Sequence, residues 1–253
     1  MSLRLSACIE MIFRDLPVIE RLRAVAASGL SAYEFWQLDG KDVDAMRREQ
    51  ESLGIRCAAF AGTARVPLVD QSRRAEYLAA NRVALEAAAT LGCGVLLVTV
   101  GNTLPGVDRS AQHAAVVGAL KEAAKPAQDA GVTLALEPLN VKVNHAGYFL
   151  DRSDEGFAIV EEVGSPSVKL LYDVYHQQIT EGNLIPTLTA HLAMIGHIHV
   201  ADNPGRHEPG TGEINYRNVF RALANAGYEG FVGLEFHPLD DHAAALASVR
   251  TLL

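Results

Sequence analysis

Four ionisable residues stand at the ends of otherwise apolar runs in the second half of the chain. Glu137 ends LALE, Asp173 ends LLYD, Glu235 ends GLE, and His199 lies late in GHIHV. Burying a lone carboxylate at such a position costs several kcal/mol unless it is paired or bound to a cation. Four successive apolar runs, each ending in an oxygen or imidazole-nitrogen ligand, therefore predict one divalent metal site.

This ligand set also limits the metal and its chemistry. Three carboxylates and one imidazole suit Mn²⁺ or Mg²⁺, although Zn²⁺ or Co²⁺ would also bind, so the sequence leaves the ion open. A proton on carbon beside a carbonyl becomes removable when a cation polarises the carbonyl oxygen. Glu137 and Glu235 have the longer side chains, and we predict that they are both ligands and the proton-transfer pair. The shorter Asp173 is predicted to be a ligand only.

Two further residues are predicted to contact the substrate. His176 lies three residues after Asp173, and we place it on the following loop, facing a substrate hydroxyl or carbonyl group. Arg206 is the one cation of the loop NPGRHEPG. Its planar guanidinium suits a carboxylate or a hydroxyl-rich substrate end, while a salt bridge with Glu208 is a nearly equal alternative.

Other polar and aromatic residues near strand ends do not indicate a single role. His197 shares a strand face with His199 and would lie one layer deeper, either supporting a ligand or filling the core. Trp36 follows an early strand and would cover the substrate or simply belong to the core. Glu34, an isolated carboxylate near a strand end, predicts nothing by itself.

The chain alternates short β-type runs with amphipathic stretches about eight times. Strands are predicted at 3–8, 32–37, 56–61, 95–100, 132–136, 168–172, 195–200 and 231–234, and helices at 16–28, 42–53, 72–91, 110–130, 153–163, 184–192, 215–226 and 240–253. Eight such units without a linker predict a single domain, 1–253, folded as an α/β (β/α)8 TIM barrel. An open doubly wound sheet is disfavoured because neither a G-x-G-x-x-G after the first strand nor a P-loop occurs.

Composition excludes some functions. The net charge of 22 − 30 = −8 argues against nucleic acid as a partner, because phosphate contacts need a basic face. Three cysteines in apolar contexts indicate buried thiols in a reducing compartment. Without a signal-like start or a membrane-length apolar run, the sequence predicts a cytoplasmic protein with no membrane contact. The sequence also leaves a homo-oligomer open.

The motifs ALEPLN, YDVYHQQ, NPGRHEPGTGEINY and GLEFHP occur in this order and resemble the hydroxypyruvate isomerase group. That group belongs to the xylose isomerase-like TIM barrels, together with ketose 3-epimerases and an apurinic endonuclease. The resemblance covers nearly the whole chain. It implies a metal site and substrate contacts at the residues named above: Glu137, Asp173, His199 and Glu235 for the metal, His176 and Arg206 for the substrate.

The resemblance implies a metal-dependent isomerase that interconverts hydroxypyruvate and tartronate semialdehyde, or a similar small hydroxy-carbonyl substrate. A ketose 3-epimerase of the D-tagatose/D-allulose type is the alternative. His199 stands where the isomerases often have glutamine, and it is the ligand usual in the epimerases. Val143 stands where the epimerases typically have a further glutamate. A nuclease of this fold needs more histidines, some from early strands, and none precedes His113 here. A non-catalytic role in sugar-acid binding is disfavoured because all four ligands are present.

Overall fold

Eight parallel strands form the closed barrel that the alternating pattern predicts. The structure, a computed structural model, describes residues 3–63 and 66–253. The strands are β1 Arg4–Cys8, β2 Ala32–Phe35, β3 Arg56–Phe60, β4 Val95–Val98, β5 Thr133–Leu136, β6 Val168–Asp173, β7 Ile195–Val200 and β8 Phe231–Leu234. They pair in sequence order, and β1 pairs with β8 to close the sheet. The (β/α)8 prediction is therefore confirmed.

Helices cover the outside of the barrel. They are α1 Val18–Ala27, α2 Val43–Leu53, α3 Arg74–Leu91, α4 Arg109–Asp129, α5 Ser153–Val163, α6 Val174–Thr180, α7 Leu184–Ala190, α8 Tyr216–Asn225 and α9 His242–Arg250. The side chain of Asp42 accepts a hydrogen bond from the Ala45 N–H and begins α2, as its residue type predicts. Asn215 caps α8 in the same way. Among the described residues, no helix has the length and apolar composition needed to cross a membrane.

One helix was missing from the prediction. The segment after Asp173 is α6 rather than a loop, so the placement of His176 on a loop was wrong. Asp173 begins this helix by accepting hydrogen bonds from the N–H groups of Tyr175 and His176, at 2.8 and 3.1 Å. The seven residues of α6 are too few to show a clear apolar period. In addition, Asp173 ends a strand and caps the helix at once, so the sequence does not mark it as the start of a helix.

The barrel interior is divided into an apolar and a polar side. Small and medium apolar residues of the middle strands form a cluster of their own, consisting of Ala59, Ala61, Leu97, Ala135 and Leu171. Strands β1, β2 and β7 instead carry buried polar residues, consisting of Ser6, Glu34, His197 and His199. The larger apolar core lies between the sheet and the helices. The polar side therefore lies within a well-packed framework, directly below the carboxyl ends of the strands.

Candidate active site

The strand ends bring three buried carboxylates together at one mouth of the barrel. Ligand atoms of Glu137, Asp173, Glu235 and His176 all lie within 4.8 Å of one another. The backbone holds them there: the Glu137 N–H donates to the Val98 carbonyl of the neighbouring strand at 2.9 Å. In the register of β6 and β7, Asp173 lies directly opposite His199. The three carboxylates expected at one site are thus adjacent in space.

The ring of His199 faces this carboxylate group with one nitrogen. Its Nδ1 lies 3.5 Å from Glu137 Oε1 and 3.6 Å from Glu235 Oε2. Its Nε2 lies 2.9 Å from Glu34 Oε2. Because a carboxylate only accepts hydrogen bonds, Nε2 must carry a proton, and a neutral His199 therefore presents the lone pair of Nδ1 to the carboxylates.

This arrangement fits a cation. Within the described part of the chain, Glu137 Oε1 and His199 Nδ1 are both buried and have no hydrogen-bond partner. Two lone-pair atoms that face each other at 3.5 Å repel unless a proton or a cation lies between them. Burial lowers the pKa of His199, but Glu235, Glu34 and Glu137 outweigh burial and raise this pKa well above its ordinary value. The same negative field that holds a proton here favours a divalent ion.

His176 presents a donor rather than a lone pair. Its Nδ1 lies 3.2 Å from the Asn140 backbone N–H and 2.6 Å from Asn140 Nδ2, so Nδ1 accepts. Burial and the nearby Arg206 hold the pKa of His176 well below its ordinary value, so the ring is neutral and Nε2 carries its one proton. This Nε2–H lies 3.6 Å from Asp173 Oδ2, and it has no hydrogen-bond partner among residues 3–63 and 66–253. An oxygen of a bound molecule would satisfy it.

The carboxyl group of Glu137 has a pKa close to neutrality. Burial raises its pKa to about 7, and the negative charges of Glu235 and Asp173 act in the same direction against the opposing effect of His199. A carboxyl group with a pKa near neutrality exchanges protons readily with a carbon acid or with water. Tyr148 helps to place it, since its hydroxyl donates to the Glu137 carbonyl at 3.0 Å and accepts from the Val100 N–H at 2.8 Å.

Glu235 is held by two donors. Trp36 Nε1 donates to its Oε1 at 2.7 Å, and Arg206 Nη2 donates to its Oε2. Arg206 thus pairs with Glu235, whereas Glu208, the alternative partner considered above, accepts from the Leu239 N–H. The Arg206 Nε is buried without a hydrogen-bond partner in the described ranges. The guanidinium therefore keeps one buried donor for a further acceptor.

The loop that carries Arg206 is organised by a buried aspartate. Asp202 accepts hydrogen bonds from the N–H groups of Asn203, Gly210 and Ile214, at 3.0, 2.7 and 3.1 Å. Its own carbonyl accepts from the Arg206 N–H at 3.0 Å. The sequence shows Asp202 only as one polar residue of a polar loop, and its structural role was missed.

A cavity of about 360 Å³ lies over these groups. Glu137, His176, Arg206 and Glu235 line it together with Trp36, Leu97, His145 and Tyr148. Trp36 thus covers the cavity and also donates to Glu235, a polar role that the sequence did not indicate. His145 and Tyr148 lie in the loop after β5, where nothing in their sequence context distinguished them from ordinary loop residues.

The fold and the site together define a (β/α)8 barrel with a cluster of buried ionisable residues at the carboxyl ends of its strands. The family model for the xylose isomerase-like TIM barrel matches residues 22–252. The 2-oxo-tetronate isomerase of Cupriavidus necator is 33% identical over 99% of this chain and 98% of its own length. The hydroxypyruvate isomerase of Escherichia coli is 31% identical over 96% of this chain and 97% of its own length.

A solved structure agrees with this likeness. That structure, described as an AP endonuclease of family 2 from Brucella melitensis, superposes with a TM-score of 0.94, 30% identity and 98% coverage of both chains. The chain belongs to the xylose isomerase-like TIM barrel family, as its motifs indicated. Its full-length similarity to two named isomerases identifies it as an enzyme of the isomerase class.

Proposed function

We propose that this enzyme isomerises a small 2-oxo acid with a neighbouring hydroxyl group, such as hydroxypyruvate or 2-oxo-tetronate, by moving a proton between adjacent carbons. One observation carries the proposal. Two buried glutamates, Glu137 and Glu235, lie within 4.8 Å of each other at the floor of a small cavity. The names of the full-length relatives supply the substrate class.

Glu137, Asp173, His199 and Glu235 would hold one divalent cation, with Mn²⁺ or Mg²⁺ favoured by the three carboxylates. The unpaired atoms of Glu137 and His199 support this assignment. His176 is not needed as a ligand because its inward nitrogen carries a proton. When bound, the ion supplies Lewis acidity that makes a proton beside a carbonyl group easier to remove.

The residues of the chain perform the remaining steps. One of the two glutamates takes a proton from the hydroxyl-bearing carbon beside the carbonyl group and passes it to the other glutamate, which delivers it to the former carbonyl carbon. The hydroxyl proton moves to the former carbonyl oxygen, so both carboxyl groups return to their starting states. The raised pKa of Glu137 suits it to hold a proton between these events. Trp36 and Arg206 keep the Glu235 carboxylate in place. Tyr148 does the same for the Glu137 backbone.

Two donors orient the substrate. The His176 Nε2–H would bind a substrate hydroxyl or carbonyl oxygen, and the Arg206 Nε–H would bind the carboxylate. Both donors are buried and lack hydrogen-bond partners among the described residues. This pairing of one neutral donor and one cationic donor supports a short hydroxy-oxo acid over an uncharged sugar.

The test is a substrate panel with product analysis. Enzyme loaded with Mn²⁺ or Mg²⁺ is incubated with hydroxypyruvate, 2-oxo-tetronate and a free ketohexose, and products are identified by NMR. We expect conversion of at least one oxo acid to its isomer and loss of this activity in EDTA. Inversion at C3 of the ketohexose with no conversion of either acid would replace the proposal by a 3-epimerase. No turnover in the panel would contradict both.

A further inference from the structure

A group of buried polar residues lies beneath the carboxylates, inside the barrel. Its centre is Glu34, of which 1% is exposed. Glu34 Oε2 accepts from His199 Nε2 at 2.9 Å, and Oε1 accepts from His197 Nε2 at 3.1 Å. The hydroxyl of Ser6 donates to Oε1 as well. Because each oxygen has its own donor, the carboxylate cannot rotate without losing hydrogen bonds on both sides.

The barrel leaves space for this carboxylate at one position. Gly233 lies opposite His199 in the register of β7 and β8. A Cβ atom added at Gly233 would lie 2.5 Å from Glu34 Oε1 and 2.6 Å from His199 Cδ2. Both atoms belong to side chains held by hydrogen bonds, so neither can move away cheaply. The missing side chain of Gly233 therefore permits the contact between Glu34 and His199.

We infer that Glu34 is a positioning residue that holds His199 in the Nε2–H tautomer, with its Nδ1 lone pair directed at the three carboxylates. This inference rests on the proposed function, because the purpose of that lone pair is to bind the cation. Partners that accept a hydrogen bond from the outer N–H of a metal-binding imidazole fix its tautomer and ring orientation. Glu34 would do so here without touching either cation or substrate.

A second metal ion is the competing interpretation of the same group. Ligand atoms of Glu34, His197 and His199 lie within 4.8 Å of one another. However, both imidazoles already hydrogen-bond the carboxylate, and an ion there would have to displace both protons. The inference therefore predicts binding of one ion per chain, and two high-affinity ions would overturn it.

The first test is the affinity for Mn²⁺ alone, measured by calorimetry on the full chain at fixed pH. Glu34→Gln keeps the size of the side chain but removes its charge and one acceptor, and Glu34→Ala removes both acceptors. We expect both variants to bind Mn²⁺ about 10- to 100-fold more weakly than the wild type. Affinities within threefold of the wild type in both variants would overturn the inference.

Tyr33→Phe is the matched control. Tyr33 precedes Glu34 in β2, is equally buried, and donates from its hydroxyl to Gln50 Oε1 at 2.8 Å. Its loss removes a buried hydrogen bond from the same strand without touching the polar group. We expect a lower melting temperature and an unchanged Mn²⁺ affinity. If Tyr33→Phe weakens Mn²⁺ binding as much as Glu34→Gln, the effect belongs to general destabilisation and the inference fails.

NMR spectroscopy examines the tautomer of His199 directly. It uses the wild-type protein, so the inference stays testable even if a variant folds poorly. In the wild-type protein loaded with diamagnetic Zn²⁺, long-range ¹H–¹⁵N spectra should show His199 protonated at Nε2 and bound at Nδ1. Protonation at Nδ1 would overturn the inference. Failure of the wild type to bind any divalent ion would instead contradict the proposed function, so the two failures are distinguishable.

Discussion

Replacing Glu137 by glutamine is expected to change how the stability of the metal-free protein depends on pH. Burial raises the pKa of Glu137 from 4.5 to about 7. A group with a raised pKa in the folded state contributes stability that is complete below its unfolded pKa and is lost as the pH rises through the folded pKa. Glu137 should therefore contribute less and less stability to the wild-type protein as the pH rises from 4.5 to 7.

The expected size follows from the shift. A pKa raised from 4.5 to about 7 corresponds to about 3 kcal/mol, most of which is lost between pH 5 and pH 8. Glutamine does not titrate, so the stability of Glu137→Gln relative to the wild type should rise by that amount over this range. In a chain of this length, the change corresponds to roughly 5–10 °C in melting temperature.

The assay is urea unfolding in EDTA at pH 5, 6, 7 and 8. Glu86→Gln, which neutralises an exposed glutamate, serves as the control and should follow the wild type at every pH. With saturating Mn²⁺, the wild type should gain more stability than Glu137→Gln, because the ion binds the folded state and needs the carboxylate. Identical pH profiles for wild type and Glu137→Gln in EDTA would refute the reasoning.

Four further outcomes are expected. Trp36→Phe removes a hydrogen bond to the charged Glu235, which is worth about 1.5–3 kcal/mol. This loss should lower kcat/KM roughly 10- to 150-fold while the far-UV circular dichroism spectrum stays unchanged. A loss of kcat/KM below threefold would contradict the role of Trp36. Arg206→Lys should raise KM for an oxo acid more than it lowers kcat in steady-state kinetics, and an unchanged KM would exclude Arg206 as the carboxylate contact. Asp202→Ala should lower the free energy of unfolding by about 2–4 kcal/mol and speed proteolysis of the loop 203–214, because three backbone N–H groups lose their acceptor. Asp202→Asn should give smaller changes in both quantities. Cleavage of the Asp202→Ala variant at the wild-type rate would show that Asp202 does not hold the loop. Dialysis against EDTA should abolish turnover, and Mn²⁺ or Mg²⁺ should restore it, whereas full activity after dialysis would argue against a metal.

The strand ends could be predicted from the sequence because parallel strands in a barrel obey a simple rule. Apolar runs that end in Glu137, Asp173 and Glu235 must deliver these side chains to the same mouth, whatever the helices between them do. The three carboxylates are indeed adjacent. His199 also faces them, and its Nδ1 lies 3.5 Å from Glu137 Oε1, where both atoms could bind the same cation.

The supporting contacts could not be predicted, because they join residues that are far apart in the chain. Glu34 meets His197 and His199 across 163 and 165 residues, and a single carboxylate on β2 gives no sign of these partners. Trp36 meets Glu235 across 199 residues. Gly233 is a glycine within an otherwise apolar strand, which is a local sign of a close approach, and it stands directly opposite His199.

The short helix α6 illustrates a different limit. Asp173 ends a strand, caps a helix and lies among the carboxylates at once, and a sequence pattern assigns a residue to one element only. The helix turns His176 inward with its Nε2–H towards the cavity. His176 thus lines the cavity from a helix instead of the expected loop, and its contact with a substrate stays a prediction.

Solvent exchange tests the central claim most directly. Metal-loaded enzyme is incubated in D₂O with whichever oxo acid the substrate panel shows to be converted, hydroxypyruvate or 2-oxo-tetronate. NMR then follows the incorporation of deuterium at the carbons beside the carbonyl group. The account predicts rapid incorporation by the wild type and a loss of at least 100-fold in both Glu137→Gln and Glu235→Gln, with Glu86→Gln unaffected. Full exchange in both glutamine variants would show that these glutamates do not move the proton.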